Sequence, residues 1–430
     1  MIDKIVNKII FFFPIILITI FLNFYYDGEI YKASNIWTVL LIFFFSFFLI
    51  KKSIFITQKE SLIVYLFIFI CLISCFLGEN IFLSLKRFII VFLPFFIIFQ
   101  FFQNHRNIEL IKHKIELNLL FFVLFLCVYS IVIFLFDINA FQKILSHEVS
   151  KTNFFNLGQI YYTREDLFSY NLYRPSSLLS NTIGFSQLIL ISIFICLNIN
   201  INSILKSFIL ILLSVCLIWT FSRINLLIFL SIPIILLALR NKNFFIFLLM
   251  IKAIVFFSLI IIQIPSIQNI VNINLNEINL GNLDDRFKIY EFSLSHISTY
   301  LFSGVGFGLS SENFIMKILD GSTMLYSDVN KNNDIYNLLY TKNLAIASVP
   351  ITVLVETGIF GLLIYITLLP ILIKKNRNFH LKNVKNTYLI LTIILFTQYL
   401  DISLFRFHPL TFIFAMYLGI TCNKNLKFNA

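Results

Sequence analysis

Charge is scarce in this sequence. Only 13% of its 430 residues are Asp, Glu, Lys or Arg, about half the share of an ordinary soluble domain. That shortage, with 59% hydrophobic residues and a mean hydropathy of +0.91, excludes a chain folded in water alone. Acids are scarcer than bases, 21 against 33, for a formal charge of +12. In a soluble protein such an excess points to nucleic acid. Here the basic residues lie mostly in short tracts between apolar runs, where they set membrane topology, so no nucleic-acid partner is expected. The long polar segments contain no cysteine. All six, Cys71, Cys75, Cys127, Cys196, Cys216 and Cys422, fall in or beside apolar runs, which excludes a disulfide framework. Cys71 and Cys75 share a helix face but have no His or further Cys at zinc spacing, so no metal is expected. The 54 Phe accompany abundant Ile, Asn and Lys, a bias that an AT-rich genome also produces, and carry no functional weight.

What is present is apolar sequence in blocks. A bilayer core takes about 20 apolar residues per helix. Runs at 9–26, 36–50, 61–77, 87–102, 117–136, 180–197, 204–221, 224–239, 244–264, 348–373, 387–400 and 404–422 meet or approach that length. The run after MIDKIVNK is too long for a signal-peptide core and lacks a small-residue cleavage site, so a retained span is expected. The reading is an all-α polytopic membrane protein, one membrane domain over residues 1–430 with about 12 transmembrane helices.

Orientation follows from the basic residues. With the N-terminus inside, the cytoplasmic tracts hold Lys4, Lys8, Lys51, Lys52, Lys59, Arg106, Lys112, Lys114, Lys206, Arg240, Lys242, Lys374, Lys375, Arg377, Lys382, Lys385, Lys424 and Lys427, against the acids Asp3, Glu60, Glu109 and Glu116. Both termini are then cytoplasmic. Two large loops, about 137–179 and 265–347, fall outside, and loops of that length without function are uncommon. In the second, Phe287, Tyr290, Leu294, Ile297 and Leu301 recur at helical spacing after Asn282 or Asp284 as cap. An amphipathic helix is expected there, ended by Ser303-Gly304-Val305-Gly306-Phe307-Gly308. That glycine run lacks the strand and spacing of a dinucleotide loop and reads as a turn.

Four arginines sit at one topological level. Arg174 and Arg223 lie at the outer ends of the sixth and seventh runs, Arg286 begins the loop helix, and Arg406 stands at the last run. A lone arginine there is accounted for by snorkelling to lipid headgroups. Several beside the large loops point to a phosphate or pyrophosphate, which a planar, permanently charged guanidinium matches. A helix N-terminus at Arg286 would add to this, partly offset by Asp284 and Asp285.

These arginines lie in a pattern that resembles the O-antigen polymerase and O-antigen ligase superfamily. Arg174-Pro175-Ser176-Ser177-Leu178-Leu179 is similar to its R-P-S-S/G-L-F stretch, and Thr220-Phe221-Ser222-Arg223 to its T-x-S-R. Asp285-Arg286-Phe287, a helix and Gly304-Val305-Gly306-Phe307-Gly308 follow in the family's order. Leu354-Val355-Glu356-Thr357-Gly358-Ile359-Phe360-Gly361 then resembles its L-x-E-x-G-x-x-G. The likeness covers roughly 170–420. It departs from the ligases, which carry H-N-x-x-L before the glutamate motif. Ala347-Ser348 occupies that place, and the only loop histidine, His296, lies far upstream.

The resemblance implies an enzyme of the bacterial inner membrane that joins undecaprenyl-pyrophosphate-linked oligosaccharide units by glycosyl transfer. It needs neither cofactor nor metal, because the carrier brings its own leaving group. Arg174, Arg223, Arg286 and Glu356 are the implied catalytic residues, and Arg164, Tyr290 and Arg406 the substrate-binding ones. Glu165, Asp166, Glu291 and Glu356 are candidates for the general base. A chain-length regulator and a flippase are implied partners beside the lipid bilayer. The alternatives are a ligase-type transferase or, from another class, a transporter or flippase of lipid-linked oligosaccharide. The transporter leaves the 265–347 loop unexplained, and Lys252 alone is little charge to line a path. Reporter fusions should place Lys375 in the cytoplasm and Asn313 outside; a cytoplasmic signal at Asn313 would invert the scheme.

Overall fold

The computed structural model describes residues 23–26, 29–32, 59–78, 80–105, 108–136, 149–151, 158–165, 171–179, 182–199, 201–222, 225–230, 297–310, 348–378, 390–391, 393–395, 405 and 408–423. These are mostly helical. The helices are α1 (Lys59–Leu77), α2 (Ile81–Asn104), α3 (Ile108–Phe136), α4 (Thr182–Asn198), α5 (Ser203–Trp219), the short α6 (Ile297–Tyr300), α7 (Val349–Asn378) and α8 (Pro409–Thr421). Ile81–Asn104, Ile108–Phe136 and Val349–Thr367 are long and apolar enough to cross a membrane, while Ser61–Leu77, Thr182–Asn198, Ser203–Trp219 and Pro409–Thr421 are shorter apolar helices.

Seven of the expected runs therefore coincide with α1 to α5, α7 and α8. Residues 225–230, 390–391 and 393–395, inside two further runs, are helical. The runs 36–50 and 244–264 lie outside the described residues, as does the loop helix before Ile297.

Two differences concern the outer segments. Residues 23–26, expected within the first span, form strand β1 (Asn23–Tyr26), paired antiparallel with β2 (Glu29–Lys32). The two residues between them are Asp27-Gly28, a dipeptide that favours tight hairpins. Within the expected 137–179 loop, β3 (Val149–Lys151), β4 (Gly158–Glu165) and β5 (Asn171–Pro175) make a small antiparallel sheet in the order β3-β4-β5. The all-α reading missed both because Tyr- and Ile-containing strands read as apolar or irregular stretches.

The short connections from α1 to α2 and from α4 to α5 join neighbouring helices into antiparallel pairs, so the bundle has two ends. Asn80 caps α2, its side chain accepting from Leu83 N at 3.1 Å. Pro94 lies buried inside α2 without ending it, which apolar surroundings and neighbouring helices allow. Proline at the first position of α8 follows His408, whose Nδ1 accepts from Leu410 N at 3.3 Å. The helix thus starts at Pro409, later than the expected 404.

Burial separates interior from periphery. α4 is buried along nearly its whole length and is apolar all round. α5 exposes Ile204, Phe208, Ile211, Val215 and Ile218 at alternating three- and four-residue spacing, the stripe a lipid-facing helix presents. Gly419 lets α8 lie against α2: a Cβ there would come within 2.5 Å of Phe99 O.

Polar side chains cluster at one end, which holds the N-termini of α1, α3 and α5. Tyr65 Oη donates to Gln103 Oε1 at 3.2 Å and accepts from Gln100 Nε2, and Gln103 Nε2 donates to Ser61 Oγ at 2.6 Å. Asn423 Nδ2 donates to Phe102 O and His105 O, both at 2.8 Å, covering carbonyls at the end of α2. Lys112 and Glu116, read from sequence as loop, lie one turn apart inside α3, buried and 3.8 Å apart. Tyr417 Oη of α8 donates to Glu116 Oε1 at 3.3 Å. Glu116→Ala removes the carboxylate one turn from the buried lysine and should destabilise the detergent-solubilised protein by about 3–5 kcal/mol. Replacing Lys112 and Glu116 together by methionine and leucine should cost far less, and thermal unfolding separates the two.

Candidate functional site

The other end carries the glycine turn and the motif segments. α6 leads into residues 301–310, where Gly304, Gly306 and Gly308 all have positive φ. α7 is broken where it meets this turn: Gly358 has φ 71° and ψ −170° in an otherwise helical run. The carbonyls freed by the break are taken by the turn. Val305 N donates to Val355 O at 2.9 Å, Gly306 N to Glu356 O at 3.2 Å, and Ile359 N to Leu301 O at 2.7 Å. The approach is so close that a Cβ on Gly304 would lie 2.2 Å from Glu356 O, and one on Gly358 2.5 Å from Phe302 O.

The same turn is held from its other side by α2. Ser84 Oγ donates to Phe307 O at 2.8 Å, and the Arg87 guanidinium donates to Gly308 O. The arginine's methylenes cover Gly308, where a Cβ would meet Arg87 Cδ at 2.8 Å. Phe307 enters an aromatic cluster, its ring 4.9 Å from Phe92, while Phe67 lies 4.8 Å from Phe405. Phe405 itself has φ 59°, a conformation disfavoured for a bulky residue and held by this packing.

Glu356 is 2% exposed and lies in the wall of a small cavity with Phe67, Cys71, Phe307, Thr352, Thr357 and Phe405. Its Oε1 accepts from Ser310 Oγ at 2.8 Å. Tyr300, beside the turn, is buried, and desolvation pushes its hydroxyl pKa up to about 12, so it stays neutral near pH 7. Among the described residues no group of His, Cys, Asp and Glu is placed to hold a metal ion.

Arg174 sits at the end of β5, paired with Tyr162. Its Nε donates to Thr220 O at 2.8 Å, the C-cap of α5, so the guanidinium meets the negative end of that helix. The arginine-proline-serine segment and the Thr220-Phe221-Ser222 segment are thereby in contact. Both are sharply turned: Ser177 and Phe221 have φ 56° and 46°. Ser177 Oγ is anchored on Leu126 O at 2.9 Å, and Asn225 Nδ2 reaches Ser186 Oγ at 2.5 Å and Ser222 Oγ at 3.0 Å.

Of the remaining residues named from sequence, Arg164 and Glu165 are in β4, with Arg164 paired to Leu172. Arg223, Arg286, Tyr290, Arg406, Asp166 and Glu291 lie outside the described residues. Arg87 and Ser310 were not singled out in the sequence. A single arginine at the start of an apolar run and a serine after a glycine turn carry no signal until their partners, 221 and 46 residues away, are known.

Residues 208–366 match a family model described as O-antigen ligase. The chain carries an O-antigen ligase-type segment. This segment of the O-antigen ligase and polymerase superfamily runs from within α5 through the glycine turn into α7, and includes Arg223, Arg286 and Glu356. With the apolar helices, it supports a bacterial membrane protein of O-antigen-type surface-polysaccharide processing. No curated protein matches the chain.

The O-antigen ligase-type segment depends on Gly304 and Gly358. Gly304→Ala adds a left-handed strain of about 1–2 kcal/mol and drives the new methyl into the Glu356 carbonyl. It should lower the melting temperature and abolish glycan transfer, as followed by unfolding and by polysaccharide gels.

Proposed function

We propose that this protein polymerises undecaprenyl-pyrophosphate-linked oligosaccharide units on the outer face of the bacterial inner membrane, building O-antigen or a related surface polysaccharide. The observation that carries the reading is the family segment together with the contact tying Arg174, outside that segment, to Thr220 within it. In this proposal residues 1–430 form one membrane domain of about 12 helices with both termini cytoplasmic and the 137–179 and 265–347 loops outside.

Chemically, a hydroxyl of one lipid-linked unit attacks the anomeric carbon of the growing glycan, the bond to the pyrophosphate breaks, and the carrier leaves as the diphosphate. Arg174, Arg223 and Arg286 supply guanidinium groups where negative charge develops on the departing diphosphate. Arg164, Tyr290 and Arg406 bind the substrate around them, and a carboxylate takes the acceptor proton. No metal or nucleotide enters this scheme. A chain-length regulator and a flippase are its proposed partners. The second reading, a ligase-type transferase, rests on the description of the matching family. Against it stands Ala347-Ser348 in place of the ligases' histidine.

A deletion strain decides between the two: single repeat units on the lipid or on lipid A core identify a polymerase, and long unattached polymer a ligase. In the complemented strain, Arg286→Lys should fail almost as badly as Arg286→Ala. An ammonium does not reproduce the bidentate fork, and losing one such donor costs about a hundred- to thousand-fold in rate. Full-length polymer from Arg286→Lys at normal membrane levels rejects bidentate recognition there.

A further inference from the structure

Resting on that reading, we infer that Glu356 is a positioning residue: its carboxylate anchors the glycine turn through Ser310 and is not the base that takes the acceptor proton. Three observations carry this. The side chain is 2% exposed, and its Oε1 accepts from Ser310 Oγ at 2.8 Å. The residue's own carbonyl accepts from Gly306 N at 3.2 Å, so main chain and side chain grip the turn at Gly306 and Ser310. The helix break at Gly358 and the bare Cα of Gly304 exist at the places that let these contacts form, since a methyl at Gly304 would strike Glu356 O at 2.2 Å.

The turn is then fixed from both flanks, by Glu356 on one side and by Ser84 and Arg87 on the other. The segment fixed this way, 301–310, directly follows the stretch that carries Arg286 in sequence and precedes the 311–347 stretch. Glu356 acts through it, setting the position of 301–310 between the two stretches of that loop. What the role requires of residue 356 is an acceptor of the right reach, and glutamine supplies one through its amide oxygen.

The test compares Glu356→Gln, Glu356→Ala and Ser310→Ala in full-length protein in membrane vesicles, given lipid-linked oligosaccharide. Initial glycan transfer is measured alongside the rate at which N-ethylmaleimide labels the native Cys71, read by mass spectrometry. Cys71 is fully buried and lines the cavity beside Glu356 and Phe307, so it reports whether the turn stays seated. Glu356→Gln should keep transfer within about threefold and Cys71 protected, whereas Glu356→Ala and Ser310→Ala should each lose about tenfold or more and expose Cys71, the effect of deleting a buried hydrogen bond that holds the turn. Glu356→Gln as inactive as Glu356→Ala with Cys71 still protected makes the carboxylate chemical and overturns the inference. So does Ser310→Ala with neither readout changed. If wild-type vesicles transfer no glycan, the proposed function fails, and Cys71 labelling still decides the anchoring role.

Discussion

A helix that breaks away from water leaves main-chain groups to be satisfied, and the main-chain exchange between 301–306 and 355–359 answers that constraint. α7 gives up helical geometry at Gly358, which leaves the carbonyls of Val355 and Glu356 without helical donors. The turn's own amides, from Val305 and Gly306, take them, and Ile359 N returns a bond to Leu301 O. The break and the turn are therefore one unit, each satisfying what the other leaves open. The glycines follow from that closeness: the two backbones lie too near for a side chain at Gly304 or Gly358. The placement of Glu356, Ser310, Phe307 and Arg87 is set by the same unit.

Much of the helical framework was legible because it is written in long apolar blocks, and α1 to α5, α7 and α8 fall on such blocks. The glycine turn was legible too, since Ser303 to Gly308 carries three glycines where a helical period ends. Other features were hidden for definable reasons. The first hairpin was obscured because Phe24, Tyr25 and Tyr26 extend the preceding apolar run, although Asp27-Gly28 signalled it. Lys112 and Glu116 read as loop because each charge alone is costly in a span; as an ion pair one turn apart they fit within α3.

The site was legible as motifs but not as geometry. Arg174 and Thr220 were read as separate signatures at one level, and a 2.8 Å hydrogen bond now joins them. The break in α7 was not readable, because Val349 to Ile373 runs as one apolar stretch and the meaning of Gly358 depends on what approaches it. Phenylalanine, dismissed on its count, is selectively placed in a few cases: Phe307 and Phe405 join the turn and the last helix to the core through Phe67 and Phe92.

The contacts of the last helix bear on how the chain is assembled during synthesis. Tyr417 completes the shell of Glu116 from 301 residues downstream, and Asn423 covers the Phe102 carbonyl from 321 residues downstream. α2 and α3 are therefore synthesised long before Tyr417 and Asn423, the residues that complete their polar contacts. The polar end of the bundle is therefore among the last parts of the fold to be completed as the chain is made.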